Sequence, residues 1–199
     1  RIAAKNWIIA TGSSPVAPPV EGLKEVPFWT NETVFSQRIL PSRLIVLGGG
    51  PIGLEIAQAF GRLGSKVIIV EFMDQILGPE DRDLAELLRT RLEEEGNEIH
   101  VSTKALKVEM RGSTFLLTIA PASGKEESRV IEGDALFIAT GRKPNIDNLG
   151  LEAAGVTFTP RSIPTDERMR TNVRHIYACG DVNGQFPFTH VAGYEAGIA

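Results

Sequence analysis

A chain of 199 residues with a net charge of −4 and an isoelectric point near 5.5 can bury one large core or two small ones, and its acidity argues against nucleic acid or an anionic membrane as partner. Apolar and charged shares of 42% and 23% are ordinary for a soluble protein; no apolar run has the length of a membrane span and no signal peptide is found. The single cysteine, Cys179, excludes an intrachain disulfide, which fits an expected cytoplasmic setting, and reads as a small buried residue at a strand end.

In chain order, residues 7–10 read as a strand running into the Thr11-Gly12 turn, and SSPVAPPVEG (13–22) as a proline-rich connector without regular structure. Residues 30–37 read as a short helix capped by Thr30 or Asn31. A buried strand at 44–47 then meets Gly48-Gly49-Gly50-Pro51-Ile52-Gly53. Helical spacing follows at Leu54, Ile56, Ala57, Phe60 and Leu63 and stops at Gly64, which suits a C′ position. Residues 67–70 form a second buried strand that ends in Glu71. Residues 79–95 have helical spacing with acids at the start and Gly96 past the end, and 98–101 read as a third parallel strand.

The period then changes. Residues 105–110, 115–119 and 130–131, separated by Gly112-Ser113 and a polar SGKEES turn, form an antiparallel meander. Residues 135–139 are again a buried strand, ending in Thr140-Gly141. The remainder is loop-rich until a strand at 175–178 that closes on Cys179-Gly180-Asp181, and a last helix starts near Thr189. Ala10-Thr11-Gly12 and Ala139-Thr140-Gly141 echo each other, as two related nucleotide-binding units would. His100 and His175 are read as lacking carboxylate or cysteine neighbours at ligand spacing, so no metal site is expected.

The chemistry concentrates at 43–71. Gly48 suits the tight turn of G-x-G-x-x-G, Gly50 lets backbone approach a diphosphate, and Gly53 allows close packing of helix on strand. Pro51 suits the first helical position, and the free N–H groups there, with the helix dipole, suit an anion. Glu71, 18 residues past Gly53, can accept hydrogen bonds from an adenosine ribose 2′-hydroxyl and would repel a 2′-phosphate. With no Arg or Lys in the ten residues after Glu71, the reading is NAD(H) over its phosphorylated counterpart.

Four segments in order, ATGSSP (10–15), GGGPIGLE (48–55), ATGRKPN (139–145) and ACGDV (178–182), with FTHVAGYEAG (188–197) behind them, resemble the pyridine nucleotide–disulfide oxidoreductases. Dihydrolipoamide dehydrogenase-like members of that family are nearest and mercuric reductase-like members next. The resemblance covers nearly the whole chain. It implies an α/β fold: a Rossmann-like parallel sheet with an antiparallel three-stranded meander, plus partial FAD-domain segments. Residues 1–25 would end the first FAD-domain segment, 26–148 form the NAD-binding domain, and 149–199 begin the return to the FAD domain. The chain, which opens at Arg1 in mid-domain sequence, is expected to be a piece of a longer protein. The redox cysteines and the His–Glu acid/base pair of the family would lie elsewhere, so no catalytic residue is expected here.

The resemblance also implies roles. Gly48, Gly50, Pro51, Ile52 and Gly53 would hold NAD(H), with Glu71 on the ribose, Ala105 at the adenine through its backbone and Gly141 closing the cleft. Ile52 and Glu55 would lie beside the nicotinamide, where Glu55 could accept a carboxamide hydrogen bond; the plainer alternative is a solvated helix acid. Thr11, Gly12, Asp181, Phe188, Thr189 and His190 would serve FAD, Asp181 by accepting from a ribityl hydroxyl. The parent would pass a hydride between NAD(H) and FAD and exchange electrons with a disulfide, lipoamide first. Alternatives are a mercuric reductase-like or NADH oxidase-type member, and an isolated chain that only binds NAD(H). Phe188 before Thr189-His190, where small or aliphatic residues are usual in dihydrolipoamide dehydrogenases, gives weight to the mercuric reductase-like alternative. A homodimer, with membership of a 2-oxoacid dehydrogenase complex, is implied for the full-length protein.

Overall fold

The computed structural model describes residues 3–124 and 127–199. Arg1 and Ile2, where the expected first FAD-domain segment begins, and Lys125 and Glu126 of the polar turn lie outside the described residues. The chain divides into two units, Pro15–Gly141 and a discontinuous one made of Arg1–Ser14 with Arg142–Ala199.

Two short strands come first, β1 (Trp7–Ile9) and β2 (Ser13–Pro15), the latter inside the stretch expected to be irregular. Pro15 is tolerated because it ends a short edge strand, where its missing N–H breaks no ladder. The central unit then builds β3 (Arg43–Leu47), α1 (Pro51–Leu63), β4 (Lys66–Val70), α2 (Arg82–Glu94) and β5 (Glu98–His100). The meander is β6 (Thr103–Arg111), β7 (Thr114–Pro121) and β8 (Arg129–Gly133), followed by β9 (Ala135–Ile138). Its parallel sheet has the order β5-β4-β3-β9, and β6-β7-β8 form the separate antiparallel sheet.

The apolar runs of β3 and β9 are explained by cover on both faces. Leu44, Val46, Ala135 and Phe137 pack with Leu54, Ala57, Ala85 and Leu92 of the two helices. Ile45, Leu47, Leu136 and Ile138 point the other way and pack with Val108, Phe115, Leu117 and Ile131 of the meander. Leu44, Ile45 and Val46 have no exposed surface, and burial of each such side chain contributes about 1.5–3 kcal/mol as an upper estimate.

Two expected helices are corrected. Residues 30–37 hold only a single 3₁₀ turn, Val34–Ser36, and neither Thr30 nor Asn31 caps it. Thr30 instead closes a local turn, its hydroxyl accepting from Glu32 N–H while its own N–H donates to Thr33 Oγ1, and such side-chain–backbone bonds compete with a helix. Helix α2 starts at Arg82 rather than 79, because the preceding residues form a turn closed by Glu80 N–H on the Leu77 carbonyl.

The discontinuous unit pairs β1 in parallel with β11 (Ile176–Ala178); β10 (Arg142–Pro144), unforeseen in the sequence, pairs with β2. A small core of Ile146, Leu151, Val156, Ile163, Ile176, Ala178 and Val182 supports it, and α3 (Thr189–Ile198) starts where expected.

Candidate functional site

Gly48 closes β3 with φ 108, a left-handed backbone that favours glycine, and its N–H donates to the Val70 carbonyl at 2.9 Å. A Cβ on Gly53 would lie 2.1 Å from the Gly48 carbonyl oxygen, so α1 can approach the strand end only with glycine there. A Cβ on Gly50 would meet nothing within 4 Å, so this glycine faces open space. Pro51 occupies the first turn of α1 without a side-chain cap, and the N–H groups of Ile52 and Gly53 have no acceptor among the described residues. Unpaired donors, the positive end of a 13-residue helix and space in front of Gly50 together fit a diphosphate.

That space belongs to a cleft of about 980 Å³ at the carboxyl ends of β3, β4 and β9, the usual ligand position in open α/β sheets. Gly48, Gly50, Glu71, Ala105 and Gly141 all line it. The side chain of Glu71 is clamped: Gly49 N–H donates to Oε2 at 2.5 Å and Met73 N–H to Oε1 at 2.7 Å. Ala105 stands beside a bulge in β6, where Glu21 N–H takes the Leu106 carbonyl. The Gly141 wall is tied to the connector by Val16 N–H on the Gly141 carbonyl and by Thr140 Oγ1 on the Val16 carbonyl. Lys104, half-buried, also lines the cleft and is its one cation among the described residues. Counting positions after Glu71 misses it, because β6 returns to the strand end through Thr103 N–H on the Glu71 carbonyl.

Ile52 and Glu55 sit in the first turns of α1; Glu55 is exposed and makes no side-chain hydrogen bond or ion pair among the described residues. The first turn of α1 is closed by Leu54 N–H on the Gly50 carbonyl.

In the discontinuous unit, Asp181 accepts a hydrogen bond from the Ser13 hydroxyl, and Arg142 Nε donates to the same hydroxyl oxygen at 2.6 Å. Thr11 and Asn145 bond reciprocally, Thr11 Oγ1 to the Asn145 carbonyl and Asn145 Nδ2 to the Thr11 carbonyl, while Asn145 N–H donates to the Gly12 carbonyl. Phe188, Thr189 and His190 open α3, with the Phe188 and His190 rings stacked at 5.6 Å. Ser13, Arg142 and Asn145 lie in the ATGSSP and ATGRKPN segments, whose sequence signal rests on Thr11, Gly12 and Gly141. Glu195, inside FTHVAGYEAG, gives no signal of its own in the sequence; it is 4% exposed and accepts from Gly180 N–H and Asn183 Nδ2. Cys179 is buried as expected, and burial, followed by the charge of Glu195, pushes its thiol pKa up.

One reading is corrected. His100 does have a carboxylate neighbour, because alternation in β5 puts Glu98 on its face at 2.6 Å from Nε2, with Arg129 Nη2 3.0 Å from Nδ1. No group of three potential metal ligands exists among the described residues, and none of the helices described is long and apolar enough to cross a membrane.

Known proteins resemble the chain throughout. It is 40% identical over 196 residues to a dihydrolipoyl dehydrogenase of Bacillus subtilis (strain 168), covering 98% of this chain and 42% of that protein. It is also 40% identical over 196 residues to a mercuric reductase of Shigella flexneri, covering 96% and 33%. The HOCl-induced flavoprotein disulfide reductase RclA of Escherichia coli, solved with Cu(II), superposes with a TM-score of 0.90 at 31% identity, covering 100% of this chain and 45% of the other. The chain thus spans about two fifths of the length of the relatives it matches. The profile of the pyridine nucleotide-disulphide oxidoreductases, enzymes that use FAD and NAD(P)H, matches residues 1–196, and the chain belongs to that family.

Proposed function

We propose that the chain is the nicotinamide-dinucleotide-binding part of a flavoprotein that passes a hydride between NAD(H) and FAD. The observation that carries this reading is the convergence of the Gly50 opening, the free donors at the start of α1 and the Glu71 carboxylate on one cleft. Ile52 and Gly53 N–H would donate to the diphosphate, and Glu71 would accept from the adenosine ribose. The exposed carboxylate of Glu55 would accept from the carboxamide and so orient the ring. Ala105 and Gly141 would bound the adenosine and nicotinamide ends of the cleft.

In the discontinuous unit, Asp181, steadied by Ser13 and Arg142, would accept from an FAD hydroxyl, with Thr11 and Gly12 holding the adjoining turn. Phe188, Thr189 and His190 would turn the N-terminus of α3 toward the flavin. The cofactors supply the two-electron chemistry when bound, and this chain binds and orients them. We assign residues 1–25 and 149–199 to the FAD-binding part and 26–148 to the NAD-binding part, and place the full-length protein in the cytoplasm as a homodimer.

For the disulfide partner we propose lipoamide, in a dihydrolipoyl dehydrogenase that serves a 2-oxoacid dehydrogenase complex. The second reading, Hg(II) reduction, is favoured by Phe188 ahead of Thr189-His190 and by the equal identity to a mercuric reductase. Titration of the chain with NADH and NADPH, followed by nicotinamide fluorescence, tests the cofactor. NADH should bind about tenfold tighter or better, the worth of one charge-assisted hydrogen bond set against charge repulsion. Equal or reversed affinities would overturn the choice of NAD(H).

A further inference from the structure

The G-x-G-x-x-G pattern leaves its second position free, yet that position here is Gly49. Its backbone does not require glycine, since Gly49 is not among the residues with positive φ. Both of its polar backbone groups are engaged: N–H donates to Glu71 Oε2 at 2.5 Å, and the carbonyl accepts from Leu77 N–H at 2.9 Å. Gly49 is therefore anchored by its backbone on both sides. A Cβ added to it would lie 3.1 Å from Glu71 Oε2 and 3.2 Å from both Cβ and Cγ of Glu71. All three nearest atoms belong to this one side chain, so a side chain at position 49 crowds the acid itself.

We propose that Gly49 is a positioning residue for cofactor selectivity: its N–H and its missing side chain set the Glu71 carboxylate where it separates a ribose 2′-hydroxyl from a 2′-phosphate. This rests on the dinucleotide reading above and deepens it. Each oxygen of Glu71 receives one backbone N–H, from Gly49 and from Met73, which fixes the plane of the carboxylate and leaves further lone pairs on both oxygens. A carboxylate fixed from two sides loses little freedom when a hydroxyl binds, and it cannot rotate away from an incoming phosphate. An alanine at position 49 adds a methyl group at a distance where Glu71 must shift by a few tenths of an ångström, and both functions weaken together.

The test is a double-mutant cycle on the 199-residue chain with Gly49→Ala, Glu71→Ala and the double variant. Dissociation constants are measured for NADH, NADPH and the 2′-deoxyadenosine analogue of NADH. Gly49→Ala should weaken NADH about tenfold, the scale of one charge-assisted hydrogen bond, and narrow the gap to NADPH. Its penalty should vanish in the Glu71→Ala background and against the 2′-deoxy analogue. A penalty that persists unchanged in either case overturns the positioning role while leaving NAD(H) binding intact. Failure of the unaltered chain to bind NADH overturns the dinucleotide reading and this inference with it. Should Gly49→Ala not fold, recovery of the fold in the double variant supports the assignment, since the obstacle has been removed; a double variant that also fails to fold overturns it.

Discussion

Gly53 and Gly48 meet so closely that the Cβ which Gly53 lacks would lie 2.1 Å from the Gly48 carbonyl oxygen. Backbone cannot yield as a flexible side chain can, so Gly53→Ala must displace α1 from the end of β3. A loss of about 1–3 kcal/mol is expected, with a fall in Tm of about 2–4 °C per kcal/mol for a chain of this size. Gly50→Ala is the contrasting case, because its Cβ enters empty space and its φ of −79° suits any residue. Stability there should stay within about 0.5 kcal/mol while NADH affinity drops sharply. Thermal melts beside NADH titrations read both; a stable Gly50→Ala that binds as before would show that no ligand backbone comes near this turn.

Lys104 lines the same cleft as Glu71, so with the acid removed a cation still borders the proposed dinucleotide site. In Glu71→Ala, NADPH affinity should rise to within about threefold of NADH, since repulsion is gone and a cation remains. Adding Lys104→Ala should take that gain away. The measurement is the ratio of the two dissociation constants and its decline with salt, which screens the lysine contribution. An unchanged ratio in the double variant would place Lys104 outside the recognition of the phosphate.

Burial raises the Cys179 thiol pKa, and the Glu195 charge adds to the effect. At neutral pH the thiol is thus both protonated and covered, so disulfide exchange with an aromatic disulfide reagent should be far slower in the folded chain than in urea. The sign for stability follows. A raised folded-state value leaves stability intact below the ordinary thiol range and erodes it as pH climbs above about 8.5. Rapid labelling of the native chain at pH 7 would contradict this.

Asp166 behaves oppositely. Its carboxyl is held below its ordinary value first by the Arg170 backbone N–H, against some desolvation, and then by the Arg170 side chain and the Arg168 N–H. A depressed folded-state value contributes stability that is present above about pH 4 and lost as pH falls through the lower, folded value. Asp166→Asn should therefore flatten the acid limb of urea midpoint against pH and leave the neutral plateau lowered. An acid limb identical in the two proteins would count against it.

The parallel sheet and the meander were legible because their signals are local. Continuous apolar runs at 44–47 and 135–138 announce strands covered on both faces, and the change of period after 101 announces the second sheet. Gly48, Gly50, Gly53 and Glu71 were legible because the turn and the strand end dictate their spacing, and the structure brings all four to one corner. What escaped depends on distant partners. Nothing near Lys104 in sequence places it in the cleft, and the bond from Arg142 to Ser13 spans 129 positions. The helix expected near Thr30 failed for a different reason: its threonine hydroxyls found closer backbone partners than a helix offers.

Strand β9 lies beside β3 in space but arrives only after the meander, and it carries the far wall of the cleft through Ala139 N–H on the Leu47 carbonyl. A growing polypeptide therefore displays its triple-glycine corner and its acid long before anything stands opposite them. Until residue 139 emerges from the ribosome there is a half-socket, and closing it needs a pairing of β9 with β3 that spans the whole meander. The cleft is in that respect a non-local feature, complete only when β9 takes its place beside β3.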